Sequence, residues 1–279
     1  MDWRQSGRVA VITGGASGIG FAAAQHFARQ GMHVLLADRD AEALSAAQDR
    51  LAFSEARVEV QTCDVSDLEQ VVALRDRAFA DFGAVHCLMN NAGAGFSMGD
   101  PWTDLDKARK TLEINLWGVL HGCHAFIPAM LDGGEPGVVV NTGSKQGITR
   151  PPGNYGYNLS KAGVLAYTES VAHALRNREG CAISAHLLIP GFVYTGMVAR
   201  YFEQKPPFAW TAEQTVDFLI ERLAHGDFYI LCPDNETPRS LDELRIQWTA
   251  DDLIQNRPAL SRWHPDYAKA FAEFVGNAD

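Results

Sequence analysis

The chain has 279 residues, 47% of them apolar, enough for one large α/β domain with a sizeable core. Its net charge of -10, with no basic stripe, argues against nucleic acid or an anionic membrane as a partner. Cys63, Cys87, Cys123, Cys181 and Cys232 form no Cys-x-x-Cys pair, so they read as reduced thiols, not as a disulfide framework or a metal site.

Residues Met1 to Arg4 lead directly into a strand-like run without a secretory apolar segment. No stretch approaches the roughly 18 apolar residues that span a bilayer, so a cytoplasmic protein is expected. A short apolar strand at 8–13 runs into Gly14-Gly15-Ala16-Ser17-Gly18-Ile19-Gly20, and 21–30 reads as a helix ended by Gly31. Strand, glycine turn and helix form the unit that sets a pyrophosphate on a helix N-terminus, with no Cβ to hold the phosphates away. The spacing is Gly14-x-x-x-Gly18-x-Gly20, not Gly-x-Gly-x-x-Gly. Gly14, Ser17, Gly18, Ile19 and Gly20 are therefore the candidate phosphate contacts, although any tight strand-to-helix turn can look this way. The second strand, 33–37, ends at Asp38, 18 positions after Gly20, where a carboxylate can accept the adenosine ribose hydroxyls. The plainer role for Asp38 is to cap the following helix, 41–52. Arg39 beside it could hold a 2′-phosphate, but Asp38 would repel one, so NAD is expected with NADP possible.

A third strand, 58–63, leads to Asp64-Val65 and a helix over 67–82. The fourth strand, 85–89, opens into Asn90-Asn91-Ala92-Gly93-Ala94-Gly95, amides and small residues that suit a ligand crevice or an ordinary loop. A long helix over 103–130 carries Asn115 among apolar neighbours, which calls for a specific partner. The fifth strand, 138–142, leads to Gly143-Ser144-Lys145, and the next helix runs to about residue 176. The sixth strand, 182–189, closes on Pro190-Gly191-Phe192-Val193-Tyr194-Thr195. A long aromatic loop, 192–210, precedes a helix at 211–225 and a seventh strand at 228–231. The rhythm predicts an α/β fold: a Rossmann-type doubly wound parallel sheet of about seven strands, helices on both faces, and sites at the strands' carboxyl ends. Residues 1–232 would form the dinucleotide-binding and catalytic unit. Residues 233–279 would be a helical C-terminal extension packed on it, with helices at 240–255 and 265–275 and with Tyr267, Phe271 and Phe274 as core packing.

Tyr157 and Lys161 stand four residues apart near the start of the helix that follows Ser144, so both side chains reach one small volume. A phenol ionises near pH ~10, and a neighbouring cation lowers that value, which makes a tyrosine a usable general acid/base. Such a pair found alone is more often a packed tyrosine and a solvated lysine, so the surrounding motifs decide.

Together these stretches resemble the main branch of the short-chain dehydrogenase/reductase family. The matching residues are Thr13-Gly14-x-x-x-Gly18-Ile19-Gly20, Asp64-Val65, Asn90-Asn91-Ala92-Gly93, Asn115, Ser144, Tyr157-x-x-x-Lys161 and Pro190-Gly191-x-Val193-x-Thr195, in the family's order over about residues 8–232. Ser144 precedes Tyr157 by 13 residues, the family's usual separation. Lys145 departs from the small or apolar residue usual there, and the tail beyond Pro233 exceeds the common ending.

The resemblance implies that Tyr157 exchanges the hydroxyl proton while hydride moves to or from the nicotinamide. Lys161 would lower the Tyr157 pKa and hold the nicotinamide ribose, Ser144 would orient the substrate oxygen, and Asn115 would keep its helix open around a proton-relaying water. Asp64 and Val65 would meet the adenine. Asn91, Ala92 and Gly93, with Pro190, Gly191, Val193 and Thr195, would contact the cofactor. Substrate contacts fall to Ser144, Gln146, Tyr155, Tyr157 and Phe192. The small-molecule substrate expected is a secondary alcohol or ketone on a bulky hydrophobic or aromatic body. Ala94, Gly95, Phe96, Tyr194, Met197, Tyr201, Phe202, Phe208 and Trp210 would complete the wall, with no arginine cluster facing it. In that family the helices at 103–130 and 157–176 pair across a two-fold axis, so a homodimer or homotetramer is expected. Alternatives are a sugar or polyol dehydrogenase of the same fold and a non-catalytic dinucleotide-binding regulator. The glycine spacing argues against nucleotide-sugar epimerases and dehydratases. The Tyr–Lys spacing argues against enoyl-thioester reductases.

Overall fold

The computed structural model describes residues 3–53 and 55–276, so Met1 and Asp2 of the lead-in and the last three residues of the extension lie outside it. Strands buried on both faces require near-continuous apolar runs, and such runs form the centre of the sheet, while edge strand Val58–Thr62 alternates apolar and polar residues and is only half-buried. The strands are β1 (Val9–Thr13), β2 (His33–Asp38), β3 (Val58–Thr62), β4 (Cys87–Asn90), β5 (Gly137–Thr142), β6 (Ile183–Ile189) and β7 (Tyr229–Leu231). All pairings are parallel and the order is β3-β2-β1-β4-β5-β6-β7. The chain therefore reverses direction across the sheet between β1 and β4, the switch point where an open α/β sheet binds ligands.

Helices cover both faces. In chain order they are α1 (Gly18–Arg29), α2 (Ala41–Arg50), α3 (Leu68–Phe82), α4 (Leu105–Leu112), α5 (Gly118–Gly133), α6 (Gln146–Thr149), α7 (Tyr155–Arg176), α8 (Gly196–Ala199), α9 (Ala212–His225), α10 (Arg239–Ile254) and α11 (Ala268–Gly276). One apolar layer gathers Phe21, Phe27 and Leu219 from α1 and α9 against Ile12 and Leu36; the other gathers Leu74, Phe126 and Val164 from α3, α5 and α7 against Leu88 and Val139. Four of the five cysteines are buried and none is paired.

Several elements depart from the sequence expectation. The long helix at 103–130 is α4 and α5 joined by a wide π turn, Glu113–Trp117, centred on Asn115. Contrary to the expectation that no stretch has spanning character, the composite Leu105–Gly133 is long and apolar enough to cross a membrane, at mean hydropathy 1.2. Its apolarity has a core-layer explanation, since α5 packs on α3, β4 and β5. The loop at 192–210 contains α8, and its ends are zipped together where Trp210 N–H donates to Phe192 C=O (2.9 Å) and Tyr194 N–H to Trp210 C=O (2.8 Å). In the tail, Phe271 and Phe274 pack on buried Trp248, each with its ring 5.2 Å away, but both stay partly exposed, so they form a surface layer and not the core expected of them. Tyr267 falls instead at the end of a 3₁₀ turn and meets His264. Helix α10 packs on α6, next to Ser144.

Candidate active site

The carboxyl ends of β1, β2, β4, β5 and β6 open into one crevice of about 980 Å³. At β1, the Thr13 hydroxyl accepts the Asn91 and Ala92 N–H groups at 3.0 and 3.2 Å, and the Asn91 amide donates to the Thr13 and Gly14 carbonyls at 3.2 and 3.3 Å. These bonds draw the glycine turn against the loop after β4. Gly14 sits at φ +62°, and a Cβ there would lie 2.8 Å from Ala92 Cα. A Cβ on Gly20 would lie 2.2 Å from the Gly14 carbonyl oxygen, so only glycine permits this closure. Ser17 flanks the start of helix α1 and its side chain makes no capping bond, leaving the first-turn amides to an external acceptor such as a phosphate. Gly14, Ser17, Gly18 and Ile19 line the crevice, whereas buried Gly20 packs beneath it.

Asp38 lines the crevice at the end of β2 and accepts the Ala16 and Asp40 N–H groups, both at 3.3 Å. The plainer role considered for Asp38 falls to its neighbour, because Asp40 caps α2 by accepting Ala43 N–H at 3.0 Å. Arg39, Asp64, Val65, Asn91, Ala92, Gly93, Pro190, Gly191, Val193 and Thr195 all line the same crevice. Asp64 is held by the Ser66 hydroxyl at 2.7 Å and the Ser66 N–H at 3.0 Å. The glycine cradle, the uncapped helix start and the Asp38 carboxylate fit a dinucleotide from its phosphates to its adenosine ribose.

At the other end, Ser144, Tyr157 and Lys161 converge. Ser144 follows β5, and its hydroxyl accepts Gln146 N–H at 3.2 Å and hydrogen-bonds the Tyr157 phenol. Asn154 fixes the start of α7, accepting Tyr157 N–H at 3.2 Å and donating to the Phe96 carbonyl at 3.1 Å. Lys161 is buried, and its Nζ donates to the Thr142 carbonyl at 2.7 Å and lies 5.8 Å from the centre of the Tyr157 ring. Burial lowers the Lys161 ammonium to about 8. Burial also raises the Tyr157 phenol above its ordinary value, and the Ser144 hydrogen bond pulls it back. The expected lowering of Tyr157 by Lys161 is thus not the dominant effect here, because the ammonium is engaged by Thr142 and desolvation outweighs it.

Asn115 is fully buried and off the crevice wall. Its Oδ1 accepts Ala94 N–H at 2.7 Å, and its Nδ2 donates to the Ala94 carbonyl at 2.9 Å and to the Ser160 hydroxyl at 3.2 Å. The π turn turns this amide inward, where it clamps the loop after β4 to α7.

Of the proposed substrate wall, Ala94, Gly95, Gln146, Phe192, Met197, Tyr201, Phe202 and Phe208 line the crevice. Phe96, Tyr155, Tyr194 and Trp210 do not. Tyr155 precedes Tyr157 by two residues on α7, an offset that turns the two side chains to different faces. The absence of an arginine cluster is overturned as well. Arg200, Arg245 and Arg262 line the crevice, the last two beside Trp263 from the C-terminal extension. Lys145, which looked only like a departure in pocket polarity, ties that extension down through Asp242 (2.6 Å) and Asp234 (3.4 Å). Nothing local in the sequence marks these contacts; only the unusual lysine beside Ser144 hinted at them.

Fold and site together define an oxidoreductase built for hydride exchange with a dinucleotide. The sequence matches the short chain dehydrogenase family over residues 8–206, and the chain belongs to that family. It is 32% identical over 261 residues to 1-deoxy-11-beta-hydroxypentalenate dehydrogenase of Streptomyces exfoliatus, covering 92% of this chain and 94% of the relative. It is 30% identical to cyclohexanol dehydrogenase of an Acinetobacter species, covering 73% and 80%. A short chain dehydrogenase/reductase from Burkholderia phymatum, solved in complex with NAD, superposes with a TM-score of 0.82 at 33% identity, covering 92% of this chain and 98% of that one.

Proposed function

We propose that this chain interconverts a secondary alcohol and its ketone on a bulky apolar body, with NAD as the hydride carrier. The convergence of Ser144, Tyr157 and Lys161 at one end of a dinucleotide-shaped crevice carries this reading. When bound, the nicotinamide supplies the site that takes or gives the hydride, and proton management falls to the chain. In oxidation, Tyr157 Oη takes the hydroxyl proton; in reduction, it returns one to the oxygen that develops negative charge. Ser144 holds that oxygen and stabilises the phenolate through its own hydrogen bond. The Lys161 ammonium, fixed by the Thr142 carbonyl, places positive charge near the ring. Asn115 acts as a positioning residue for the loop after β4 and for α7.

NAD is favoured over NADP because Asp38 is set to accept two ribose hydroxyls and would repel a 2′-phosphate. The bound NAD of the Burkholderia relative supports the same choice. Phe192, Met197, Phe202 and Phe208 supply an apolar wall, and the name of the cyclohexanol-oxidising relative supports an alicyclic alcohol. Residues 239–276 belong in this reading to the same catalytic unit. Trp117 and Leu159, exposed at 51% and 55% on the α4–α5 and α7 side, support a homodimer or homotetramer.

Purified protein screened with matched alcohols and ketones against NAD(H) and NADP(H) tests this directly. An apolar alicyclic alcohol should be oxidised with NAD, faster than a polyol of similar size. Absence of turnover across the panel, or preference for the polyol, would overturn it.

A further inference from the structure

The crevice is apolar on one wall and cationic on another, in a protein whose net charge is -10. Arg245 comes from α10 and Arg262 from the 3₁₀ turn Ser261–Trp263, and both line the crevice with Arg200 at its rim. Asp242 and Asp234 are both engaged by Lys145, the residue directly after Ser144. Glu236 is exposed at the rim. Among the described residues, neither Arg245 nor Arg262 has an acid in ion-pairing contact; Arg245 reaches Thr237 at 3.4 Å, and its Nε is buried without a hydrogen-bond partner. Arg262 lies over Trp263 and Phe271 at 4.8 and 5.2 Å from their ring centres. Burial draws its guanidinium down to about 10, with Arg245 adding to the fall and the Asp242 carboxylate opposing it.

The carboxylate whose field reaches both guanidiniums is Asp242, and it is already ion-paired with Lys145, so two half-buried cations that repel each other, one with an unused donor, still call for a further anion. The Lys145–Asp242 ion pair places Arg245, three residues further on α10, one helical turn from the anchor beside Ser144. We propose that Arg245 and Arg262 bind an oxyanion on the substrate, a carboxylate or a group of the same single charge, while Ser144 and Tyr157 hold its hydroxyl. The substrate class is then an apolar hydroxy acid or keto acid, its two polar ends bridged by a body that lies on the aromatic wall. This rests on the alcohol-dehydrogenase reading and extends it.

The test compares 4-hydroxycyclohexanecarboxylate with the corresponding carboxamide, which has the same size and no charge. With NAD, the unmodified protein should favour the carboxylate in kcat/KM by ~10-fold or more, chiefly through KM, as expected for hydrogen bonds to a charged group. In the Arg245→Gln/Arg262→Gln double variant that ratio should fall to near one, and Arg245→Lys should recover part of it. Because the ratio is taken within each variant, a general loss of folded protein cancels. Equal use of both compounds by the unmodified protein, or an unchanged ratio in the double variant, would overturn the proposal. Calorimetric titration of NAD-loaded protein with cyclohexanecarboxylate and cyclohexanecarboxamide repeats the comparison without turnover. Selective carboxylate binding without turnover of either alcohol would sink the dehydrogenase function and leave the anion site standing. Turnover of both alcohols with equal binding would do the reverse.

Discussion

Lys145→Met should loosen the C-terminal extension from the substrate side of the crevice. The Lys145, Asp234 and Asp242 side chains are only 15%, 7% and 6% exposed, so the variant strands two nearly buried carboxylates. Breaking a buried pair by removing one partner costs about 3–5 kcal/mol. Burial already holds the Asp242 carboxyl above the usual carboxylate range, so it can relieve part of that cost by taking a proton, which favours the lower figure. A loss of about 3 kcal/mol lowers the melting temperature of a chain this size by roughly 6 °C. The sign of the pH effect follows. With the folded pKa above the unfolded one, the folded state holds its proton longer, and stability rises as pH falls through that range. The deficit of Lys145→Met should therefore be largest near neutrality and shrink in acid. Lys145→Met/Asp242→Leu should regain part of the loss. Calorimetric melting from pH 5 to 8, with limited proteolysis of residues 239–276, measures all of this. A melting curve and cleavage pattern like those of the unmodified protein would refute the anchoring role.

Asp38→Ala should narrow or reverse the NAD preference, since Arg39 is then free to meet a 2′-phosphate; dissociation constants for NADH and NADPH read the change, and an unaltered ratio would count against Asp38. Gly20→Ala forces a methyl to 2.2 Å from the Gly14 carbonyl, so it should weaken dinucleotide affinity and cost about 1–3 kcal/mol of stability, as overpacking typically does. In the proposed mechanism oxidation uses the Tyr157 phenolate, and burial raises that phenol, so oxidation should quicken from pH 7 to 9 while ketone reduction, which uses the phenol, should not. Steady-state profiles in both directions decide this, and an oxidation rate falling over that interval would contradict the assignment.

The central strands were legible because β1, β2, β4 and β5 are near-continuous apolar runs leading into glycine, asparagine or aspartate, as burial on both faces requires, whereas the half-buried edge strand β3 alternates apolar and polar residues. The glycine turn and Asp38 were legible for a related reason: they sit at fixed offsets from strands that local pattern identifies. What local pattern misses is anything set by distant partners. The π turn at Asn115 exists because that amide reaches Ala94 and Ser160, and helical periodicity across 103–130 conceals it. Tyr155 looked like pocket lining by proximity to Tyr157, yet two residues along a helix turn a side chain away. Arg245 and Arg262 stand roughly a hundred residues from Ser144 in sequence and reach its crevice only because Lys145 draws α10 across it.

The central claim is that one phenol oxygen moves the proton while the rest of the site binds and orients. Tyr157→Phe removes that oxygen and retains the ring, so turnover of the best alcohol in the screen should fall by ~10²–10⁴. Affinity for NADH, followed by fluorescence titration, should stay close to that of the unmodified protein. Near-normal turnover in Tyr157→Phe, with NADH still bound, would contradict the account.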